Sequence, residues 1–188
     1  MHSSNDEHFD PKAQLLALTE EQAVEYAKNF VDQNCEASDA AYLSEIITAG
    51  EKSPEVTYQH AIDGSSVAQL VYGTTMLTGA HTTQSISEGL FWLLRSFNSG
   101  NIKAAIVLAG TYMQGEYVAT NLKRAFKYAS FAADRGSPAG QFILANLLVG
   151  GGEIAEDQDK AIALLQVAAR NGYELAIQML EDNGIPAE

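Results

Sequence analysis

The stretch AAIVLAGTYMQGEYVATNLKRAFKYASFAADRG, Ala104 to Gly136, decides the fold. Its first third reads as a helix, because apolar Val107, Leu108 and Tyr112 return at helical spacing from Ala104. Small Ala104, Ala105, Ala109 and Gly110 lie between larger residues, so a backbone can approach closely there. Gly115 opens a loop, Asn121 offers a cap, and a second helical pattern runs from Leu122 until Gly136 stops it.

Outward from this stretch the pattern recurs every 36 positions. The glycines that close helices are Gly64, Gly100, Gly136 and Gly172. Ala68, Ala104, Gly140 and Ala176 form a column of small residues; Tyr72, Leu108, Leu144 and Leu180 form a large apolar one. Gly79, Gly115 and Gly151 follow, then Gly89, Ala125 and Ala161, then Trp92, Tyr128 and Leu164. No insertion breaks the frame between 64 and 184.

Capping residues divide each repeat into two helices. Ser65, Asn101 and Ser137 stand before the first, where a side-chain oxygen can accept from orphan N–H groups of the opening turn. Pro138 follows Ser137 at a position where a missing N–H costs nothing. Ser85, Asn121 and Asp157 stand before the second, and Ser85 with Glu88 has the spacing of a capping box. Each unit is therefore helix A (65–78 in the first), a glycine-led loop, helix B (86–99), and a glycine in the left-handed conformation. Helices of about four turns are marginal alone and must stack on neighbours.

These features resemble the Sel-one-like repeat (SLR) family, relatives of the tetratricopeptide repeat. The matching elements are Ala104, Leu108-Ala109, Tyr112, Gly115, Arg124-Ala125, Ala132-Ala133 and Gly136, then Gly140, Leu144-Ala145, Gly151, Lys160-Ala161, Ala168-Ala169 and Gly172. The unit from Gly64 keeps Ala68, Tyr72-Gly73 and Gly79 but has Glu88-Gly89 and Ser96-Phe97. The resemblance implies an all-α fold, an α-α superhelix (solenoid) of stacked antiparallel helix pairs. Some family members staple each repeat with a disulfide; the single Cys35 excludes that here.

Residues 1–63 read as an acidic N-terminal helical cap with a degenerate first repeat. In it, 37–50 stands for helix A, 53–64 for helix B, and 19–35 for a further helix with a Thr19/Gln22 capping box. Residues 64–188 hold three Sel-one-like repeats and a C-terminal capping helix at 173–184, polar at Glu174, Gln178, Glu181 and Asp182. Residues 1–10 and 185–188 are expected to be frayed.

The chain has 188 residues and a net charge of −13. Residues 1–63 carry 13 Asp/Glu against 3 Lys/Arg, and residues 64–188 carry 11 against 8. Such a surface repels phosphate backbones, which argues against nucleic acid; the acidic first third is either a solvated face or a docking surface for a basic partner. No apolar run is long enough to span a membrane, and the polar start MHSSNDEHFD is no secretory signal. The default expectation is cytoplasmic, or periplasmic or secreted if a signal peptide has been removed. His2, His8, His60 and His81 lack a second His or Cys at metal-ligand spacing, so no metal or other cofactor is expected. No nucleophile elbow is present, and the Gly150–Gly152 run lacks the Lys-Ser/Thr of a phosphate loop, so the chain is not read as an enzyme.

One feature remains for function. With Ala68 at the origin of a helical wheel, Val71, Tyr72, Thr75 and Met76 lie within about 80° and form the expected inward stripe. Leu70 and Leu77 lie near about 200° and 180°, followed at the repeat by Ile106 and Met113, then Phe142 and Val149. Thr74, Gly110 and Asn146 sit between them. Either helix A is apolar on two sides because two helices B flank it, or these nine residues line a concave surface that holds a protein or peptide. A charge placed at Ile106 or Phe142 separates the two. The sequence thus points to a non-enzymatic adaptor or regulator; an immunity-type or inhibitory protein that blocks an enzyme is the alternative.

Overall fold

The computed structural model describes residues 18–27, 37–43, 53–80 and 82–187, and among them every regular element is a helix. Two compact units divide between Asn98 and Ser99. The first contains α1 (Glu20–Ala27), α2 (residues 37–43), α3 (Pro54–Ile62), α4 (Ser66–Thr78) and α5 (Ile86–Asn98). The second contains α6 (Ile102–Gln114), α7 (Leu122–Asp134), α8 (Pro138–Gly150), α9 (Gln158–Arg170) and α10 (Glu174–Asp182). Helices A and B begin and end within a residue of the expected bounds. The division between the compact units falls inside the first repeat frame. His2, His8, Cys35 and His81, and the expected helical residues 28–35 and 44–50, lie outside the described residues.

The 36-residue period is held by the junctions between helices. After α7, Gly136 adopts φ 78°. Its N–H donates to Ala133 O at 2.9 Å, and the Ser137 N–H donates to Ala132 O at 3.0 Å, the paired bonds of a Schellman ending. Ser137 is then also the N-cap of α8, its Oγ accepting from the Gly140 N–H at 3.2 Å. The same arrangement joins α3 to α4 through Gly64-Ser65; the same Schellman ending leads from α9 to α10 through Gly172-Tyr173, where Tyr173 adds no side-chain cap. The turn from A to B is equally constant: Ser85, Asn121 and Asp157 donate their backbone N–H to Met76 O, Tyr112 O and Leu148 O at 2.9, 2.8 and 3.1 Å. Asn121 and Asp157 cap their helices as expected. Ser85 and Glu88 do not form the expected box. The Ser85 N–H is spent on Met76, and Glu88 is buried, accepting from the Tyr72 hydroxyl at 3.2 Å.

Packing corrects the expected inward stripe. Val71 is 41% exposed, whereas Gln69 and Gly73 join Ala68, Tyr72 and Met76 in the core. The buried arc of helix A is rotated because two helices B flank it. In the second unit α8 packs on both α7 and α9. A Cβ on Gly140 would lie 2.8 Å from the Ala132 carbonyl carbon and the Ala133 nitrogen of the preceding helix B. In the first unit Gly73 faces its own helix B: a Cβ there would come within 2.9 Å of Leu93 N. The arc between these directions carries Gln69, Ala105 and Gln141, all buried, and Gln69 donates its amide to Ala61 O at 3.1 Å.

In the first unit α1 packs on α5, and α4 on α3 and α5. Thr19 and Gln22 form the expected capping box of α1. Asp39 of α2 accepts from the Ser65 and Ser66 hydroxyls, each at 2.7 Å, and from the Val67 N–H at 2.9 Å. It places a carboxylate at the N-terminus of α4, where the helix dipole favours negative charge. Trp92 is the centre of the core, its ring meeting those of Tyr58, Tyr72 and Phe91.

Burial, and then the Glu88 carboxylate, push the Tyr72 phenol above its ordinary value of 10.0. Burial also raises Tyr128, in the second unit, against the opposing charge of Arg124. A raised phenol holds its proton more tightly in the folded state, so its contribution is complete below about pH 10 and is lost as pH rises beyond it. Alkaline titration is expected to show Tyr72 and Tyr128 ionising only as helicity falls. Ionisation of Tyr72 and Tyr128 with helicity intact would contradict this.

Candidate interaction surface

The second unit shows what two flanking helices leave uncovered on helix A. Ile106, Gly110 and Met113 fall on one face of α6, being four and three residues apart. All three are half-buried. Phe142 and Asn146 of α8 are half-buried as well, and Val149 is 52% exposed. The α6 and α8 helices are in contact, so the two short rows belong to neighbouring helices. The Phe142 ring meets that of Tyr173, centroids 5.4 Å apart, at the start of α10. Asn146 donates its amide to Phe142 O at 2.9 Å and so stays close to its own helix.

Gly110 is the informative position. A Cβ added there would meet nothing within 4 Å, and the residue has no positive φ. Neither packing nor backbone conformation requires glycine, yet mid-helix glycine costs about 0.5–1 kcal/mol relative to alanine. The result is an open notch between the apolar side chains of Ile106 and Met113.

In the first unit the corresponding residues behave differently. Leu70 and Thr74 are half-buried, with the Thr74 hydroxyl donating to Leu70 O at 2.8 Å. Leu77 is only 2% exposed and offers no surface. The cause is Gly89: a Cβ there would lie 2.7 Å from Leu77 N, so α4 and α5 approach closely at this point. Ala125 and Ala161, which carry a Cβ in the later repeats, do not permit that approach.

A second concave feature lies at the end of the second unit, a cavity of about 490 Å³. Asn146, Val149 and Gly150 of α8 form one wall, Ala161, Ile162 and Leu165 of α9 the floor, and Met179 and Asn183 the other wall. Sequence reading found Asn146 and Val149 but not the residues contributed by α9 and α10. Ile185 and Pro186, expected to be frayed, are tied back: Ile185 N–H donates to Leu180 O at 2.9 Å, and Gln166 donates to Pro186 O at 2.9 Å.

Among the described residues no group of three or more His, Cys, Asp or Glu could hold a metal ion, and no helix is long and apolar enough to cross a membrane. His60 lies in the last turn of α3, its ring 5.2 Å from that of Tyr42.

Comparison with known proteins gives three repeats. The Sel1 repeat family matches residues 66–101, 102–137 and 138–173, over half of the chain. A solved structure of a protective antigen present in uropathogenic Escherichia coli strains, displaying an SLR fold, aligns with a TM-score of 0.67 at 27% identity. The alignment covers 70% of this chain and 28% of that one, so this chain spans less than a third of that protein's length. A Sel1 repeat protein from Oxalobacter formigenes aligns with a TM-score of 0.61 at 26% identity, covering 68% of this chain and 96% of that one. No curated protein matches the chain.

Proposed function

Because the chain belongs to the Sel1 repeat family, we propose that it is a non-enzymatic adaptor or regulator that holds a protein or peptide against the half-exposed helix A stripe. Sel1 repeat proteins are generally protein-interaction modules and typically non-catalytic scaffolds. The observation that carries the finer reading is the open notch at Gly110 between Ile106 and Met113, a weak point in a helix that packing does not require. Phe142, Asn146 and Val149 extend it along α8, and Leu70 and Thr74 are the corresponding positions of the first repeat. An apolar strip of this kind suits a partner helix or extended segment, while the net charge of −13 favours a basic one.

Photo-crosslinking in the source cell tests this. A photoreactive residue at Ile106 or Met113 is expected to capture a defined protein, and one at exposed Lys127 on α7 is not. Filling the notch with Gly110→Leu should abolish capture at Met113. Capture only from Lys127, or from no position, would overturn the proposal. A single enzyme captured in equal amount would identify the regulator as an inhibitor.

A further inference from the structure

The cavity at the C-terminal end of the second unit has a shape, a polarity and a charge of its own. Its shape comes from an interrupted repeat. Helix α8 runs 13 residues, whereas α10, in the same place one repeat later, runs nine. Gly184 ends it at φ 65°, with its N–H on Glu181 O and the Ile185 N–H on Leu180 O, another Schellman ending. The chain then turns back toward α9, where Gln166 holds Pro186. The last turn of α8 and the facing side of α9 are therefore left with about 490 Å³ between them, floored by Ile162 and Leu165 and closed by Met179 and Ile185. That volume lies in the range of small-ligand sites, about 300–1,000 Å³.

The polarity follows from two asparagines on the walls. Asn146 donates its amide nitrogen to Phe142 O and Asn183 donates its own to Met179 O, at 2.9 and 2.8 Å. A carbonyl oxygen only accepts, so in each side chain the nitrogen must face the helix and the amide oxygen remains to accept from an occupant. The charge comes from the rim. Asp157 and Asp159 flank the lining residue Gln158, and Asp182 precedes Asn183; all three are exposed. Residues 136–188 hold eight Asp/Glu against Lys160 and Arg170 alone.

We infer that this cavity binds a short peptide segment that presents an apolar side chain flanked by lysine or arginine. The apolar side chain fills the floor, peptide N–H groups donate to the Asn146 and Asn183 oxygens, and the flanking cations meet the rim carboxylates. The inference rests on the reading of the chain as an interaction module; the cavity shares Asn146 and Val149 with the α8 end of that strip but none of the Ile106, Gly110 and Met113 row.

The test is selection of a displayed random-peptide library on the full chain, followed by affinity measurement of the enriched peptides at low and high salt. Enriched peptides are expected to combine an apolar residue with neighbouring Lys or Arg and to bind more weakly as salt rises. Gly150 lines the cavity and a Cβ there would meet nothing within 4 Å, so Gly150→Phe blocks the space without a backbone clash. It should weaken binding by about tenfold or more while the melting temperature holds. The exposed pair Asp159→Asn and Asp182→Asn should weaken binding and flatten its salt dependence, whereas Lys127→Gln on α7 should leave it unchanged. Acidic or uncharged consensus peptides, no enrichment, or full affinity in the Gly150→Phe variant would each overturn the inference. Peptides lost with Ile106→Asp but retained by Gly150→Phe would overturn it while upholding the strip. A concentration-dependent dimer abolished by Gly150→Phe would replace the peptide by a second copy of the chain.

Discussion

Gly140→Leu is expected to destabilise the second unit by about 3 kcal/mol, the upper end of the usual range for overpacking. The position is where α8 crosses α7, and the first atom of any side chain there falls 2.8 Å from the Ala132 carbonyl carbon and the Ala133 nitrogen. Backbone cannot step aside as a flexible side chain does, so the two helices must separate. Even Gly140→Ala should cost about 1 kcal/mol or more, since its single methyl already clashes. Gly110→Ala is the control: on the equivalent face-forming helix its methyl meets nothing, and stability should rise by about 0.5–1 kcal/mol. Thermal unfolding followed by circular dichroism distinguishes them. Equal melting temperatures for Gly140→Ala and Gly110→Ala would refute the close crossing of α7 and α8.

Trp92→Ala is expected to cost about 3–5 kcal/mol in the first unit. The indole is fully buried, with ring centroids of Phe91, Tyr58 and Tyr72 at 5.1, 5.8 and 5.9 Å and the Arg95 guanidinium 5.2 Å from its centroid. Truncation removes the shared surface of three helices, α3, α4 and α5, and leaves a void that close-packed neighbours fill only partly. Trp92→Phe should be much milder. The Trp92 Nε1–H has no hydrogen-bond partner among the described residues, so phenylalanine removes an unsatisfied donor while keeping most of the ring. Denaturant titration of both variants checks this; an alanine variant as stable as the phenylalanine variant would show that the aromatic cluster does not hold the unit together.

The repeat frame was legible because its signals are local. A glycine that ends one helix and the residue that caps the next are adjacent in sequence, as in Gly136-Ser137, so the 36-residue period and the helix bounds could be read directly. What failed depends on distant residues. Val71 was expected inside because the wheel was centred on Ala68; the true centre is set by two helices B, one on each side. Leu77 was grouped with Met113 and Val149, but Gly89 lets α5 approach closely and covers it. Glu88 was expected to cap α5, yet the Ser85 N–H is claimed by Met76, nine residues earlier. Asp39 had no local signature, since its three donors lie 26 to 28 residues away. The cavity depends on α10 stopping short and on the tail folding back to Gln166, and no periodicity records either event. Of the nine stripe residues, Val149 is exposed, Leu77 is buried, and Leu70, Thr74, Ile106, Gly110, Met113, Phe142 and Asn146 are half-buried.

The central claim is that helix A of the middle repeat is core on one side and accessible on the other. The most direct measurement is the thermal unfolding of Ile106→Asp beside Leu108→Asp. Leu108 is fully buried, and an unpaired carboxylate there should unfold the second unit or lower its stability by several kcal/mol. Half-buried Ile106 lets a carboxylate reach water, so Ile106→Asp should retain cooperative unfolding at a cost of about 1 kcal/mol. Unfolding of Ile106→Asp as severe as that of Leu108→Asp would contradict the account, making the second stripe inter-repeat core rather than surface.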